Sequence, residues 1–359
     1  MTRKEYMDAL SAALTPFSAE IRETALRFYQ EMLDDRMEDG MDEAAAVGAM
    51  EAPEKIAARM MEEEKTAGNE AAMTEAETGE KSRYTEKRFS CSAADVSVLR
   101  ICAHECPIQF APAQDDQITL IYYTCPDDPY ILSCEGGVLS LKGERSRGEK
   151  KRLFSISLRM LWEKPHSQGI TALIPKGTLL EMDVSTQNAP ILCEKLEDLS
   201  AVALSTQNAS VSLRALRCKT LQVYTANASV KLHGLSVKQG IKAETTNARM
   251  EGEEIMAGAE VKMFTTNGKI MMAGVSAGEG MILETTNGNI TLERLSAPNL
   301  YIHSSNGSIR GTLPGKQSDW QIESGTSNGK NSLPARQAGE KPLTVHTSNA
   351  SIALAFEEE

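Results

Sequence analysis

The chain has 359 residues, which exceeds the usual size of one domain and favours two domains, or one domain joined to an elongated repeat array. Its 50 acidic and 38 basic residues give a net charge of -12, which argues against direct binding to nucleic acid and favours a partner with a basic surface. Aromatic residues make up only 5% of the chain, which is low for a globular enzyme and typical of stacked coils filled with aliphatic side chains.

Residues 1–66 are predicted to form a small helical domain. Thr2 and Glu5 match a capping box, in which each side chain satisfies an unpaired backbone amide of the first turn. Apolar residues then recur at helical spacing. A second helix is predicted from about Ser18 to Gly40, where a left-handed cap ends it at little cost.

Two shorter helices and a linker follow. Asp42 can cap a third helix, and Pro53 is well placed at the first position of a fourth. Residues 67–88 are rich in Glu, Ala, Thr, Gly and Lys and contain almost no large apolar side chain. Because burial cannot offset the entropy of ordering such a segment, we predict a flexible acidic linker there.

Residues 89–180 contain β-rich runs separated by Asp, Gly and Pro. The runs are DVSVLRI, QITLIYY, YILSC, GVLSLKG and FSISLRM. They are predicted to form strands that cap the start of the repeat region, because an open end of stacked strands would expose unpaired backbone groups.

Residues 181–356 carry a repeat whose marker is an asparagine that recurs every 19 to 22 residues. The nine markers are Asn188, Asn208, Asn227, Asn247, Asn267, Asn287, Asn306, Asn328 and Asn349. An apolar residue lies six positions before every marker, and another lies four positions before each marker except Asn328, which has Ser324. Apolar residues return three and five positions after most markers, with mostly polar residues between them. This alternation predicts two short strands per coil. The fold class is therefore mainly β, a parallel β-solenoid of about nine coils preceded by a small all-α domain.

The asparagine column is interpreted as a structural ladder. The residue after each marker is Gly or Ala, so any left-handed conformation is expected at the asparagine itself. The asparagine shares the parity of the apolar columns, so its amide is expected to point inward and to bond to the bend or to the next coil's amide. A Thr or Ser stands two residues before each marker and is expected to help through its hydroxyl, as in Thr206, Thr225, Thr245, Thr265 and Thr285. The alternative is that Thr and Asn form a binding stripe.

An outward column three residues before the marker alternates large rings with carboxylates. Its members are Tyr224, Glu244, Phe264, Glu284, His303 and, later, His346. Exposed aromatic residues concentrate binding energy, so the rings Tyr224, Phe264, His303 and His346 are the candidate binding surface. The alternatives are a stabilising ladder on the solvent face, or coverage by the preceding strands.

Catalytic and metal-binding patterns are scarce. Outward acids such as Asp183 and Glu251 are isolated, whereas a carbohydrate-cleaving β-helix needs paired carboxylates. Cys102, His104 and Cys106 could share one strand face, but no second pair follows at the spacing of metal ligands. No phosphate-binding loop, dinucleotide fingerprint or nucleophile elbow is present. We therefore expect no enzyme activity, no cofactor and no metal.

The cysteines and the N-terminus favour the cytoplasm. The seven cysteines are an odd number without the spacing of a disulfide framework, which favours a reducing compartment. The N-terminal segment MTRKEYMDALSAALTPF lacks the apolar centre and cleavage site of a signal peptide, and no run reaches the roughly 18 apolar residues of a spanning helix. We expect a cytoplasmic protein without a membrane span.

Two family resemblances cover nearly the whole chain. Residues 1–62 resemble the HAAS signalling domain through RKEYMDALSAAL, FYQEMLDDRMEDGMDEAAAVGAM and APEKIAARM. Residues from about 96 to 356 resemble the β-strand-repeat domain known as "putative adhesin", through a Thr-x-Asn-Gly signature and the strand end Pro175, Lys176, Gly177. The first resemblance implies signalling and a PadR-like transcriptional regulator as a partner. The second implies export as an adhesin.

Three functions follow as hypotheses. The first is a non-catalytic cytoplasmic signalling or scaffold protein, in which the helical domain docks a regulatory partner and the solenoid acts as a binding or assembly surface. The second is an adhesin exported to the cell surface. The third, least favoured by the residues, is a carbohydrate-active β-helix enzyme.

Overall fold

The computed structural model of this chain divides it into two compact units. One unit comprises Met1–Arg83 with Gly148–Ser167, and the other comprises Tyr84–Arg147 with Gln168–Glu359. The structure describes residues 2–17, 22, 26, 29, 33, 42–48, 50–58, 84–126, 129–144 and 169–357. The predicted linker lies outside these residues up to position 83, whereas its last residues already belong to a strand.

The helical unit begins with the predicted capping box. Helix α1 spans Arg3–Ala13, and the Oγ1 atom of Thr2 accepts a hydrogen bond from the Glu5 amide at 3.2 Å. The Glu5 carboxylate accepts one from the Thr2 amide at 2.8 Å, which lowers the pKa of Glu5 below its ordinary value. Both bonds satisfy amides that have no partner inside the helix, so the prediction is confirmed.

The later helices also start where their caps were predicted. Helix α2 spans Glu43–Gly48, and the Oδ1 atom of Asp42 accepts from the Ala45 amide at 2.7 Å. Residues 53–58 are helical, with Pro53 at the first position. The predicted helix at 18–40 lies mostly outside the described residues.

Four described residues of that segment, Arg22, Leu26, Tyr29 and Leu33, are helical. The core of the unit is formed by side chains from all these segments, namely Tyr6, Leu10, Leu14, Phe17, Tyr29, Leu33, Ala46, Val47, Ile56 and Ala57. The Tyr6 hydroxyl donates to the Glu51 carbonyl at 2.7 Å, so the one polar atom of this ring is satisfied.

The second unit is built from strands. The strands that precede the repeats are β1 Thr85–Ser92, β2 Val98–Cys102, β3 Ile108–Pro112, β4 Gln117–Thr124, β5 Tyr130–Glu135, β6 Val138–Gly143 and β7 Ile170–Ile174. The repeats contain β8 Glu181–Ser185, β9 Ile191–Glu194, β10 Leu199–Thr206, β11 Val211–Arg214, β12 Arg217–Thr225, β13 Val230–Val237, β14 Ile241–Glu244, β15 Met250–Ala257, β16 Glu260–Thr265, β17 Ile270–Ala277, β18 Gly280–Thr285, β19 Ile290–Glu293, β20 Leu300–Ser304, β21 Ile309–Pro314, β22 Trp320–Thr326, β23 Arg336–Gln337, β24 Lys341–Thr347 and β25 Ile352–Glu357. The predicted run FSISLRM lies outside the described residues.

The repeats stack as a parallel β-solenoid. On the face before the asparagines, β8, β10, β12, β14, β16, β18 and β20 pair in that order, all in parallel. On the face after the asparagines, β9, β11, β13, β15, β17, β19 and β21 pair in the same way. The interior is a continuous stack of aliphatic side chains, because like residues of successive coils lie over one another. The predicted fold class is confirmed.

The coil has a third paired face, which differs from the prediction of two strands per coil. Leu235–Val237 at the end of β13 pairs with Ile255–Ala257, which pairs in turn with Val275–Ala277. These segments follow a second bend inside the same strands. Two consecutive exposed residues, such as His233 and Gly234, interrupt the alternation at that bend, and the prediction of two strands per coil did not take this interruption into account.

Coil order departs from chain order at both ends. Strand β24 lies between β20 and β22, so the last coil in chain order lies between the two coils that precede it in the chain. At the other end β2 pairs with both β6 and β8, and β3 pairs with both β7 and β9. Strands before residue 181 therefore extend the solenoid. Antiparallel pairs β1 with β4 and β5 with β6 complete that end.

The second bend carries the left-handed backbone. Seven residues after successive markers, φ lies between 51° and 64° at Lys195, Ala215, Gly234, Glu254, Gly274 and Arg294. Among the described residues no asparagine has a positive φ, so the prediction that placed this conformation at the marker is wrong. Only two of the six positions are glycine, and the other four carry a strain of about 1–2 kcal/mol each.

This strain predicts opposite effects at two neighbouring positions. Ala215→Gly should raise the free energy of unfolding by about 1 kcal/mol, because glycine adopts φ near 53° without a Cβ clash. Gly234→Ala should lower it by a similar amount, since an added Cβ would meet only ordinary contacts at 3.7 Å or more and the backbone conformation alone is strained. Urea unfolding followed by circular dichroism measures both. Two changes of the same sign would contradict this assignment.

Candidate binding face of the solenoid

The nine marker asparagines form one continuous ladder. Eight of the side-chain amides each donate to the Oδ1 atom of the asparagine in the adjacent coil, Asn188 at the end only accepts, and the eight bonds measure 2.6–2.7 Å. The order follows the coils, so Asn349 lies between Asn306 and Asn328. The amides therefore bond to the amides of neighbouring coils, which is one of the two partners predicted from the sequence.

The ladder lies on the surface, which corrects the prediction that the amides point inward. Eight of the nine asparagines are exposed, and Asn188 is half-buried. The parity argument failed because the marker sits in a bend, where side chains no longer alternate between two faces of a strand. The buried polar column is the threonine column beside it.

Removing one amide should therefore have a modest effect. Asn267→Ala deletes the bonds to Asn247 and Asn287, but water can replace both partners at this exposed position. We expect a loss of about 1 kcal/mol. Thermal unfolding of this variant beside Thr266→Ala, an exposed neighbour expected to change stability by less than about 0.5 kcal/mol, checks the value. Equal melting temperatures for the two variants would show that the ladder adds no stability.

The threonine column is buried and hydrogen-bonded to the neighbouring coil. Its members, Thr186, Thr206, Thr225, Thr245, Thr265, Thr285, Ser304, Thr326 and Thr347, are each buried or nearly so. The Thr245 hydroxyl donates to the Ala228 carbonyl at 3.3 Å, and the Thr285 hydroxyl donates to the Gly268 carbonyl at 3.0 Å. These bonds tie each corner to the one beneath it.

Glycine after the marker allows a tighter corner. In three coils the amide of this glycine donates back to the threonine-column hydroxyl, as Gly288 does to Thr285 at 3.1 Å. A Cβ atom at Gly288 would lie 1.8 Å from the Gly268 carbonyl oxygen. Gly268, Gly288, Gly307 and Gly329 all have ordinary φ values, so they are required for space and not for backbone freedom.

The outward column predicted as a binding surface is one row across neighbouring strands. The register places Tyr224 beside Glu244, Glu244 beside Phe264, and Phe264 beside Glu284. Glu284 then lies beside His303, and His303 beside His346, which is the partner of Gly325. All point away from the core. Tyr224 is 46% exposed, and the other side chains of the row are half-buried against one another.

A shallow groove of about 330 Å³ runs along this row. Its walls are the row itself and the hydroxyl residues one position before the markers, namely Tyr224, Glu244, Phe264, Glu284, His303, Thr246, Thr266, Thr286 and Ser305, together with the edge of the buried threonine column. The Glu244 carboxylate lies 2.7 Å from the Lys242 ammonium group. Tyr301, 37% exposed, is on the same strand as His303 and faces the same side.

Sequence reasoning found the row but missed the hydroxyl wall and Tyr301. The wall could have been found, because Thr or Ser recurs one residue before the markers from Asn247 onward. Tyr301 carried no such signal, since its column otherwise holds Asp, Ala, Gln, Lys, Ile, Glu and Thr. The groove is lined by both the outward row and this hydroxyl column.

Comparison with known proteins assigns most of this unit to one family. A family model described as Toastrack DUF4097 matches residues 96–355, well over half of the chain. The chain belongs to the Toastrack DUF4097 family. A second model, HAAS, matches residues 5–59, so a HAAS domain precedes the Toastrack solenoid. No curated protein matches the sequence.

One solved structure was matched, at low similarity. It is titled "Crystal structure of a putative cell adhesion protein from Clostridium sporogenes ATCC 15579 at 1.95 A resolution". The match covers 77% of this chain and 100% of that chain, with 9% sequence identity and a TM-score of 0.18.

The other candidate chemistry of the Toastrack unit is weak. Within the described stretches, His, Cys, Asp and Glu side chains form no group of three or more that could hold a metal ion. Asp183 and Glu251 are ion-paired, each 3.1 Å from an arginine, as expected for a solvated face. Toastrack and HAAS are not known enzyme families. In the described part of the chain, no helix has the length and apolar character needed to cross a bilayer.

Several thiols are held in the protonated form. Burial raises the pKa of Cys91 to about 11 and that of Cys218 to about 12, and it raises the pKa of the fully buried Cys193 as well. The thiolate is the nucleophile and the metal ligand, so these three residues are inert packing groups at neutral pH.

Proposed function

We propose that this Toastrack protein is a non-catalytic cytoplasmic signalling scaffold. Its HAAS domain docks a regulatory partner, and its solenoid provides a rigid binding or assembly surface. The observation that carries the proposal is the groove along Tyr224, Glu244, Phe264 and Glu284, where exposed rings and carboxylates are held in fixed register. Such a surface is preorganised, so little side-chain entropy is lost on binding.

The HAAS domain supports the docking half of the proposal. HAAS domains are protein-interaction modules, and here α1 buries one face and leaves charged side chains such as Lys4 and Asp8 exposed. A PadR-like transcriptional regulator is the proposed partner, on the basis of the family resemblance. The solenoid would then bind a second ligand while the HAAS domain holds this regulator.

Affinity capture with the tagged full chain tests the two halves separately. Lys4→Glu with Asp8→Lys changes the exposed face of α1, and Tyr224→Ala with Phe264→Ala changes the groove. We expect the first pair to abolish capture of the PadR-like regulator and the second pair to leave it intact while other partners are lost. Met271→Ala, an exposed apolar residue on the other face of the coils, is the control and should change neither.

Two outcomes would contradict the proposal. Failure of the wild-type chain to capture any regulator, under conditions in which the control variant is folded, would remove the docking role. Cell fractionation that recovers the chain at the cell surface would favour the adhesin hypothesis, because the proposed scaffold acts in the cytoplasm.

A further inference from the structure

We propose that the groove binds a basic polyproline-type segment in which proline and Lys or Arg each recur every third residue. This inference deepens the proposed binding role of the solenoid and rests on it. It assigns the chemistry of the ligand, which neither family match supplies. The four residues that carry it are Tyr224, Glu244, Phe264 and Glu284.

The spacing of the row matches the polyproline II helix. Adjacent strands lie about 4.8 Å apart, so residues on alternate strands are separated by about 9.6 Å. Tyr224 on β12 and Phe264 on β16 are separated in this way, and so are Glu244 on β14 and Glu284 on β18. A polyproline II helix advances about 9.3 Å in its three-residue turn. A segment that runs along the solenoid axis can therefore place one proline over each ring and one cation beside each carboxylate.

The groove wall fits the backbone of such a segment. Polyproline II has no internal hydrogen bonds, so all of its carbonyl groups are free to accept. Thr246, Thr266 and Thr286 line the groove on consecutive coils and are exposed. Their hydroxyls recur at the coil spacing and can donate to those carbonyls. Aromatic grooves with flanking polar groups are a general way to bind proline-rich segments.

The charge of the groove favours a cation. Among its lining residues are two carboxylates, Glu244 and Glu284, and neither Lys nor Arg. Glu244 already has Lys242 at 2.7 Å, whereas no ion pair involves Glu284 in the described part of the chain. A ligand cation therefore gains most at Glu284, which is the strand partner of Phe264, because cation–π attraction to that ring can add to the ion pair. The chain's net charge of -12 acts in the same direction at long range.

Fluorescence anisotropy with the full chain tests the inference. The probe is a labelled peptide in which proline occupies two positions of every three and lysine the third. A second peptide has the same composition with its lysines grouped at one end. We expect the first to bind at least about tenfold more tightly, because only its cations match the carboxylate spacing. Binding of both should weaken as salt is added.

Variants locate the site. Glu284→Gln keeps the shape of an outward side chain and should weaken the spaced peptide about tenfold, and Phe264→Ala should weaken it at least as much. Met271→Ala, exposed on the other face of the coils, should leave affinity unchanged. If Phe264→Ala unfolds the coil, Glu284→Gln still decides the question.

Equal affinity for the two peptides, or no effect of Glu284→Gln, would overturn the polyproline assignment. Binding of a neutral β-linked oligosaccharide at the groove in place of the peptides would overturn it as well. If the peptides fail while Tyr224→Ala with Phe264→Ala still abolishes capture of a partner by the full chain, the binding role stands and the ligand chemistry alone is wrong.

Discussion

Replacing Gly288 with alanine should lower the free energy of unfolding of the solenoid by about 3 kcal/mol or more. An added Cβ would lie 1.8 Å from the Gly268 carbonyl oxygen and 2.9 Å from the Lys269 nitrogen, both of them backbone atoms that cannot move without shifting the coil beneath. The clash falls in the middle of the array, where coils lie on both sides. Urea unfolding monitored by circular dichroism measures the change.

A matched control comes from the same column of a nearby coil. Ala248 occupies the position after its own marker, so Ala248→Gly removes a Cβ where Gly288→Ala adds one. We expect the control to cost less than about 1 kcal/mol, the usual entropic cost of glycine. Similar losses in both variants would show that the glycine corners are no tighter than the alanine corners.

The fold was largely predictable because every coil of the stack needs the same type of residue at the same position. Met182, Val202, Leu221 and their equivalents are apolar in every coil, since each lies directly over the last. The same logic identified the threonine column and the outward row of Tyr224 and Phe264. A short helix cap such as Thr2 with Glu5 is local, so its spacing in the sequence is sufficient.

What escaped prediction depends on contacts that no single repeat encodes. The insertion of β24 between β20 and β22 leaves every column intact, so the spacing of Asn328 and Asn349 carries no trace of it. The exposed position of the asparagines is set by the bend, where strand parity fails. The left-handed corner is occupied by Lys195, Glu254 and Arg294 as well as by glycine, so composition did not mark it.

The corners are of two kinds, with alanine or with glycine after the marker. Their hydrogen bonds indicate that the buried threonine column stabilises the coil stack more than the exposed asparagine ladder does. The hydroxyls of Thr225, Thr245 and Thr265 donate to alanine carbonyls at distances of 3.3–3.4 Å. The hydroxyls of Thr285, Ser304 and Thr347 donate to glycine carbonyls at the shorter distances of 3.0–3.1 Å. Thr326, whose hydroxyl lies 2.8 Å from the Ala350 carbonyl, departs from this trend at the end of the stack. The hydroxyl bonds to glycine carbonyls are thus the shorter ones of the buried threonine column, and an unmade bond is most costly in the interior.

Thr285→Val is accordingly expected to cost about 3 kcal/mol. Valine has nearly the same shape, but it removes an acceptor from the Gly288 amide and a donor from the Gly268 carbonyl, both in the interior. Each buried group left without a partner costs about 1–3 kcal/mol. Hydrogen exchange at the Gly288 amide, together with urea unfolding, separates this local loss from a general loosening.

Serine at the same position distinguishes the hydroxyl from the methyl group. Ser304 makes both bonds in the next coil, accepting from the Gly307 amide at 2.8 Å and donating to the Gly288 carbonyl at 3.1 Å. Thr285→Ser should therefore keep both bonds and lose only about 1 kcal/mol of apolar burial. Thr286→Val, at the exposed neighbouring position, should change stability by less than about 0.5 kcal/mol. If valine and serine at position 285 proved equally stable, the corner would be held by packing and not by hydrogen bonds.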